Sequence, residues 1–189
     1  MKLLPGESYG TLYGRALKRY YSPEELASGL DKSDEIDPNR ALLIGSNGFP
    51  QLDDVSNQKK LGNVQPDWIG GWSNTLQYKN ISLKFLIDAQ IGQDRYNSLD
   101  NSFASFGAAK YSEDRNDYRV FEGMLADGTT NSKEVWLGQG NDPTHGINYG
   151  NGYYRNLYRG VSEYFVEDAS WVRLRSLSIN YDVPQPFRL

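Results

Sequence analysis

The sequence predicts an all-β fold built on long antiparallel strands. Segments 69–92 and 163–184 carry this prediction, because each shows the two-residue periodicity of a strand with one apolar face. The composition agrees, since 14 Tyr and 19 Gly suit strands, turns and amphipathic surfaces rather than a helical bundle. No apolar run of about 18 residues or more occurs, so a membrane-spanning helix is excluded.

The composition also bounds the function. With 189 residues the chain is long enough for one domain of ordinary size, and without Cys it has neither disulfides nor thiolate metal sites. Its net charge of −4 gives no basic footprint for nucleic acid, so no nucleic-acid partner is expected. The mean hydropathy of −0.67 is typical of soluble proteins. Strands that alternate lipid-facing and lumen-facing residues nevertheless give only a weak hydropathy signal.

The strand predicted near the end of the chain changes phase along its length. Apolar and polar residues alternate over 176–182, but upstream Val172 and Leu174 are apolar in the opposite phase. A bulge near residues 175–176 would restore one continuous apolar face, and otherwise the two ends of the strand bury opposite faces. Pro184 marks the end of the strand, because proline cannot donate to a ladder.

A hairpin is predicted over 69–79 and 81–92, with a tight turn at Lys79-Asn80. Each strand has about the nine to eleven residues that cross a bilayer when tilted. On the second strand the odd-numbered positions form an almost wholly apolar face, which we expect to be exposed to solvent in the isolated chain: Ile81, Leu83, Phe85, Ile87, Ala89 and Ile91.

The remaining segments predict short elements and long loops. A strand is expected over 8–15 and one short helix near residues 22–29, where Ser22 caps, Pro23 follows and Gly29 stops the helix. Segment 31–66 is polar, and its acidic cluster of Asp31, Asp34, Glu35 and Asp37 lacks the spacing of a calcium loop, so a solvated acidic loop is predicted for that cluster. The long connection 93–162 should contain strand pieces over 117–124 and 133–137, separated by a turn at residues 126–128.

Several of these segments resemble one family. The stretch YFVEDASWVRLRSLSINYDVP over 164–184 is similar to a late barrel strand of SusC/RagA-like TonB-dependent outer-membrane transporters. The resemblance covers most of the chain, is weakest over 16–60 and is strongest at 69–92 and 163–184. Further matches to the family's pattern lie at Gly6, Gly10, Tyr13 and Gly14, at Asn63, Pro66, Gly71, Asn74, Tyr78 and Lys79, and at 119–123 with Asp127-Gly128.

The resemblance implies a C-terminal segment, residues 1–189, of a plugged barrel of about 22 strands in the outer membrane of a Gram-negative cell. Such transporters import oligosaccharide or peptide ligands, with outer-membrane lipid, a SusD-like surface lipoprotein lid and the TonB complex as partners. We expect a partial antiparallel transmembrane β-barrel of about four strands with long external loops. The plug domain, most barrel strands and the final strands would be absent, so this segment alone would not transport.

Aromatic residues in the connection 93–162 are candidates for ligand contact, because such rings stack on sugars or partner proteins. The alternative is that they pack the loops together or form the outer aromatic girdle of a barrel. The candidate ligand-binding residues are Trp136, Tyr149, Tyr153, Tyr154 and Tyr158.

No catalytic or metal-binding residues are predicted, and no cofactor is expected. His145 is the single His, and no nucleophile motif or suitably spaced carboxylate pair is present, so the protein is expected not to be an enzyme. The main alternative is a soluble β-sandwich carbohydrate-binding module, and a hydrolase is a weaker one. Whether another sheet covers the apolar face of 81–91 distinguishes the sandwich from a barrel wall.

Overall fold

The computed structural model describes residues 5–138 and 152–184, and its largest element is a three-stranded antiparallel sheet. The sheet has the order β3–β4–β9, with eleven residues in each of β3 (Trp68–Tyr78), β4 (Ile81–Ile91) and β9 (Trp171–Tyr181). The predicted hairpin and its turn are confirmed: β3 pairs with β4 in continuous register, and Lys79 in the turn has a positive φ of 50°.

Six shorter strands form three antiparallel pairs outside this sheet. Three of them lie within the predicted strand segments 8–15, 117–124 and 133–137, whereas those at Lys59–Asn63 and Asp94–Tyr96 were not predicted. The pairs are β1 (Thr11–Gly14) with β2 (Lys59–Asn63), β5 (Asp94–Tyr96) with β8 (Val166–Asp168), and β6 (Tyr118–Val120) with β7 (Glu134–Trp136).

Three α-helices are present in the described ranges, where one was expected. Helix α1 (Pro23–Ser28) is the predicted one: the Ser22 side chain and Glu25 form a capping box, and Gly29 adopts the left-handed conformation at its end. The others are α2 (Ser98–Phe106) and α3 (Gly152–Asn156). None of the described helices is long and apolar enough to cross a membrane.

Segment 163–184 is two strands rather than one, because the ladder is interrupted between β8 and β9. At the interruption the Gly92 N–H donates to Ser170 Oγ at 2.9 Å, and the Ala169 N–H donates to the Gln93 carbonyl at 2.8 Å. These bonds carry the pairing of β4 with β9 onward into the pairing of β5 with β8. These bonds join the large sheet to the rest of the fold. We call residues 5–67, 92–138 and 152–170 the loop layer.

An aromatic core holds the loop layer together. Tyr153 packs against Phe121 and Phe49, with ring centroids 5.1 and 6.1 Å apart. Residues far apart in sequence meet here. Their packing offsets the conformational entropy that the connections lose when they become ordered. The buried members of this core are Ile44, Phe49, Phe121, Val135, Leu137, Tyr153 and Tyr154.

Polar contacts help to order segment 31–66, in which the predicted solvated cluster at residues 31–37 is exposed or partly exposed. Lys59 is buried, and its ammonium donates to the Asp31 carbonyl at 2.9 Å and the Ser33 carbonyl at 2.5 Å. Buried charge is tolerated when it is hydrogen-bonded in this way. This buried lysine therefore ties Asp31 and Ser33 to the strand that contains Lys59. Backbone hydrogen bonds such as that from the Leu43 N–H to the Lys18 carbonyl at 2.8 Å order other parts of the segment.

Candidate functional site

The three long strands sort their side chains into two contrasting faces. Leu177 lies opposite Phe85 and Ile179 opposite Leu83, so the apolar residues of β9 and β4 share one face downstream of the bulge. The register shifts between Leu86 and Ile87, and this leaves Arg175 without a partner in the ladder. The predicted bulge is confirmed, and it brings the upstream apolar residues of β9 onto the same face.

This apolar face is strongly exposed on the two flanking strands. Its large side chains there keep between 54% and 71% of their accessible surface. They are Trp68, Trp72, Leu76 and Tyr78 on β3, and Val172, Leu174, Leu177, Ile179 and Tyr181 on β9. A soluble monomer rarely exposes so wide a contiguous apolar surface.

On the central strand, β4, the side chains of the apolar face are less exposed than expected. Ile81 and Ile91 at its ends are exposed, the residues between them are half-buried, and Ala89 is buried. The reason is lateral shielding, because β4 lies between β3 and β9, whose side chains flank the middle of its apolar face. Trp72, for example, packs edge-on against Phe85 with centroids 5.2 Å apart.

The opposite face is mainly polar and has one charged cluster. Asp88 accepts two hydrogen bonds of 3.1 Å from Arg173 and a longer one of 3.4 Å from Arg175. The Arg173 guanidinium also lies 4.3 Å from the centre of the Trp171 ring. Charge-assisted bidentate pairs of this kind have a defined geometry, so Arg173 holds Asp88 in place.

A groove of about 340 Å³ lies beside this cluster. Its floor includes Gly71, where an added Cβ would meet nothing closer than the Ile87 carbonyl at 3.9 Å. Ile69 and Leu86 supply apolar walls, while the polar lining comes from Asp88, Gln90, Arg173 and Arg175. The groove was not anticipated from the sequence, although the charged residues opposite the apolar face of 81–91 and 171–181 were a usable signal.

The candidate ligand-binding aromatics are brought together only in part. Tyr153 and Tyr154 retain 5% and 7% of their surface, with centroids 5.0 Å apart, and Tyr158 packs on both. Trp136 is partly buried, and its indole N–H donates to the Asn116 carbonyl at 3.0 Å. Tyr149, like His145, lies outside the described residues.

Burial changes the chemistry of this tyrosine cluster. Desolvation is the main cause that raises the pKa of Tyr153 and Tyr154 well above the usual value for a phenol. It also raises the pKa of Tyr164 to about 12. Tyr154 is further held by its hydroxyl, which donates to the Tyr111 carbonyl at 2.8 Å and lies 2.5 Å from the Asp114 carboxylate.

Tyr153 and Tyr154 are thus packed within the loop layer, and ligand contact by them stays a prediction. Their ring faces are covered by other rings of the loop layer, so stacking on a ligand would require the layer to open. Ligand contact by the partly exposed Trp136 and Tyr158 stays a prediction. Across 5–138 and 152–184 no group of three His, Cys, Asp or Glu could hold a metal ion.

Comparison with known proteins gives one informative similarity. No family model matches the chain. Over 186 residues the chain is 24% identical to TonB-dependent receptor P3 of Formosa agariphila. The aligned region covers 98% of this chain and 16% of that receptor. The chain therefore spans about a sixth of the length of this relative, and it is similar to one part of a TonB-dependent receptor.

Proposed function

We propose that this chain is part of the barrel wall of a TonB-dependent transporter in the outer membrane. The observation that carries the proposal is the three-stranded sheet, in which one face is apolar across all three strands and the other is mainly polar. Lipid on one side and a water-filled lumen on the other require this division of side chains. The similarity to one part of a TonB-dependent receptor supports the same conclusion.

The dimensions of the sheet suit a bilayer. Each of the three strands has eleven residues, and about nine to eleven tilted residues cross the hydrocarbon core. Tyr78 and Tyr181 lie at the end near the Lys79 turn, and Trp68 lies at the other end of the apolar face. Aromatic side chains at both ends of a lipid-facing band are typical of barrel girdles.

The finer features of the proposal come from the motif resemblance. We assign the transporter to the SusC/RagA type, with oligosaccharide or peptide ligands, a SusD-like lipoprotein lid and the TonB complex as partners. The Lys79-Asn80 turn would then be an inner turn and the loop layer would be external. The loop layer supports this orientation, because long outer loops and short inner turns are the rule for such barrels.

A soluble β-sandwich would need a second sheet over the apolar face. Among the described residues, the flanking strands of that face remain exposed by more than half. None of the three short strand pairs described in the loop layer covers these flanking strands. No observation therefore favours the sandwich.

The experiment compares two lysine substitutions on β9 in the complete receptor that carries this segment. Leu177→Lys places a charge on the apolar face near the middle of the strand, and Ser176→Lys places it one residue away on the polar face. A lysine facing lipid near the midplane costs about 2–4 kcal/mol. We expect Leu177→Lys to reduce the amount of assembled receptor in the outer membrane and Ser176→Lys to have little effect. Equal tolerance of both would overturn the proposal.

A further inference from the structure

The polar face of the sheet has a charge opposite to that of the whole chain. It presents Lys84, Arg173 and Arg175 against the single carboxylate of Asp88, whereas the chain as a whole has a net charge of −4. Most of its other residues are neutral, and several are hydroxyl or amide side chains such as Ser178, next to Lys84 in the register. The face is therefore a local cationic surface.

The charges within this surface are unequally compensated. Asp88 is 15% exposed at its side chain and takes both of its short hydrogen bonds from Arg173. Arg175 makes one contact of 3.4 Å with Asp88, and its side chain keeps 61% of its surface. Arg175 therefore shares the carboxylate of Asp88 with Arg173, and the cluster of two guanidinium groups and one carboxylate keeps a net positive charge.

The β-bulge explains why Arg175 is available. As the unpaired residue of β9, it projects beside Asp88 and Arg173 instead of facing a neighbour across the ladder. Bulges often direct a side chain towards a functional surface. Here the guanidinium, with five donors in a fixed fork, lines a groove that has an open floor at Gly71.

The groove has the size and the lining of a subsite for one small unit of a ligand. Its volume of about 340 Å³ lies at the lower end of ligand pockets, which are mostly apolar with a few placed polar groups. Ile69, Leu86 and the Trp171 ring provide the apolar surface. Gln90 provides an amide, and the planar guanidinium of Arg175 matches the geometry of an oxyanion.

We infer that this groove binds an oxyanion, a carboxylate or a sulfate, carried on the solute that the barrel takes up. The inference rests on the proposed function and deepens it by selecting acidic solutes over neutral ones. Arg175 supplies the charge and the donors, while Arg173 pairs with Asp88, which also lines the groove, and offsets its negative charge. Acidic oligosaccharides and acidic peptides share this chemistry.

The test uses the complete, detergent-solubilised receptor and a panel of size-matched probes. The panel pairs oligogalacturonides with neutral galacto-oligosaccharides, and glutamate-containing peptides with their glutamine counterparts, and binding is measured by calorimetry. We expect an acidic probe to bind more tightly than its neutral partner. Arg175→Gln should weaken acidic binding about tenfold or more and leave neutral binding unchanged, since charge-assisted hydrogen bonds are strong.

Three further variants test separately the fork of Arg175, the space in the groove and the effect of charge elsewhere on the sheet. Arg175→Lys keeps the charge without the fork and should restore binding only in part. Gly71→Leu fills the groove and should weaken acidic binding without removing a charge. Lys79→Gln removes the same charge from the turn of the same sheet and should have no effect.

The remaining outcomes distinguish the oxyanion subsite from the transporter proposal. Binding of neutral probes alone, or equal losses for acidic and neutral probes in Arg175→Gln, would overturn the oxyanion subsite and leave the transporter proposal standing. Reduced receptor stability in Arg175→Gln with unchanged ligand preference would mean that the face packs an acidic protein segment, which also overturns the subsite. Failure of every probe to bind would count against uptake of oligosaccharides or peptides, and against the subsite with it.

Discussion

Leu174 on β9 lies directly opposite Ile87 on β4, although the alternation further along β9 runs in the other phase. The extra residue between the two phases is Arg175, which has no partner in the ladder. One bulge thus keeps the apolar residues of β9 on one face over its whole length. Without it, a one-residue shift would turn half of the strand over.

Deletion of Arg175 should leave the register of the sheet intact. The pairs Leu174 with Ile87 and Ser176 with Leu86 would become consecutive in an ordinary ladder. Deletion of Ser178 is the matched control, because it forces the apolar residues on one side of the deletion onto the polar face. Each apolar side chain moved in this way costs about 1.5–3 kcal/mol. Heat-dependent gel mobility of the complete receptor should show normal assembly for the first deletion and loss for the second. Equal loss in both would contradict the role assigned to the bulge.

The isolated chain should need detergent to remain dispersed. Its apolar face is exposed on both flanking strands, and within 5–138 and 152–184 no strand pairs with the outer edges of β3 and β9, so other chains can pair with it. Light scattering should detect aggregates in water and a defined particle after detergent is added. A monodisperse monomer without detergent would argue against a lipid-facing role for this sheet.

The loop layer should lose stability above about pH 10. The usual pKa of a tyrosine is 10.0; partial desolvation raises the pKa of Tyr164, which keeps 36% of its surface, to about 12, and burial raises the pKa of Tyr153. Below pH 10 both the folded and the unfolded states keep these protons, so stability is full. As the pH rises further, the unfolded state loses them first and stability falls.

Limited proteolysis and phenolate absorbance against pH would measure this alkaline transition in the complete receptor. Tyr153→Phe keeps the ring, removes one titrating group and should make the fall in stability shallower. Tyr9→Phe is the control, because that side chain is 66% exposed. A transition that is the same in all three proteins would show that the buried tyrosines do not control it.

Replacing Tyr153 by Ala should destabilise the loop layer rather than act on a ligand alone. A buried aromatic changed to Ala typically costs about 3–5 kcal/mol, and Tyr153 contacts Phe49, Phe121 and Tyr158. Protease cleavage within 93–162 should therefore increase. Trp136→Ala, at a partly buried position, should increase cleavage less. Weaker ligand binding by Tyr153→Ala without added cleavage would return this residue to the ligand-contact role.

The sequence by itself determined the long strands, their hairpin and the capped helix α1. The turn at Lys79, the alternation over 81–91 and the Ser22 cap each depend on residues that are adjacent or a few positions apart. Local backbone geometry fixes such patterns whatever the rest of the chain does. Helix α2 also had local signals, since Asn97 caps it and Gly107 ends it. This helix was not predicted from the sequence.

Only the tertiary structure decided which aromatic residues are covered and which polar residues converge. Tyr153 is buried because Phe49 and Phe121 reach it from segments at least 32 positions away in the sequence. The groove likewise collects Gly71, Asp88 and Arg175 from three different strands. Periodicity assigns each residue to one side of its own strand, but burial and convergence depend on which distant segments pack together. That packing is selected by the free energy of the whole fold, so no single segment of the sequence reveals it.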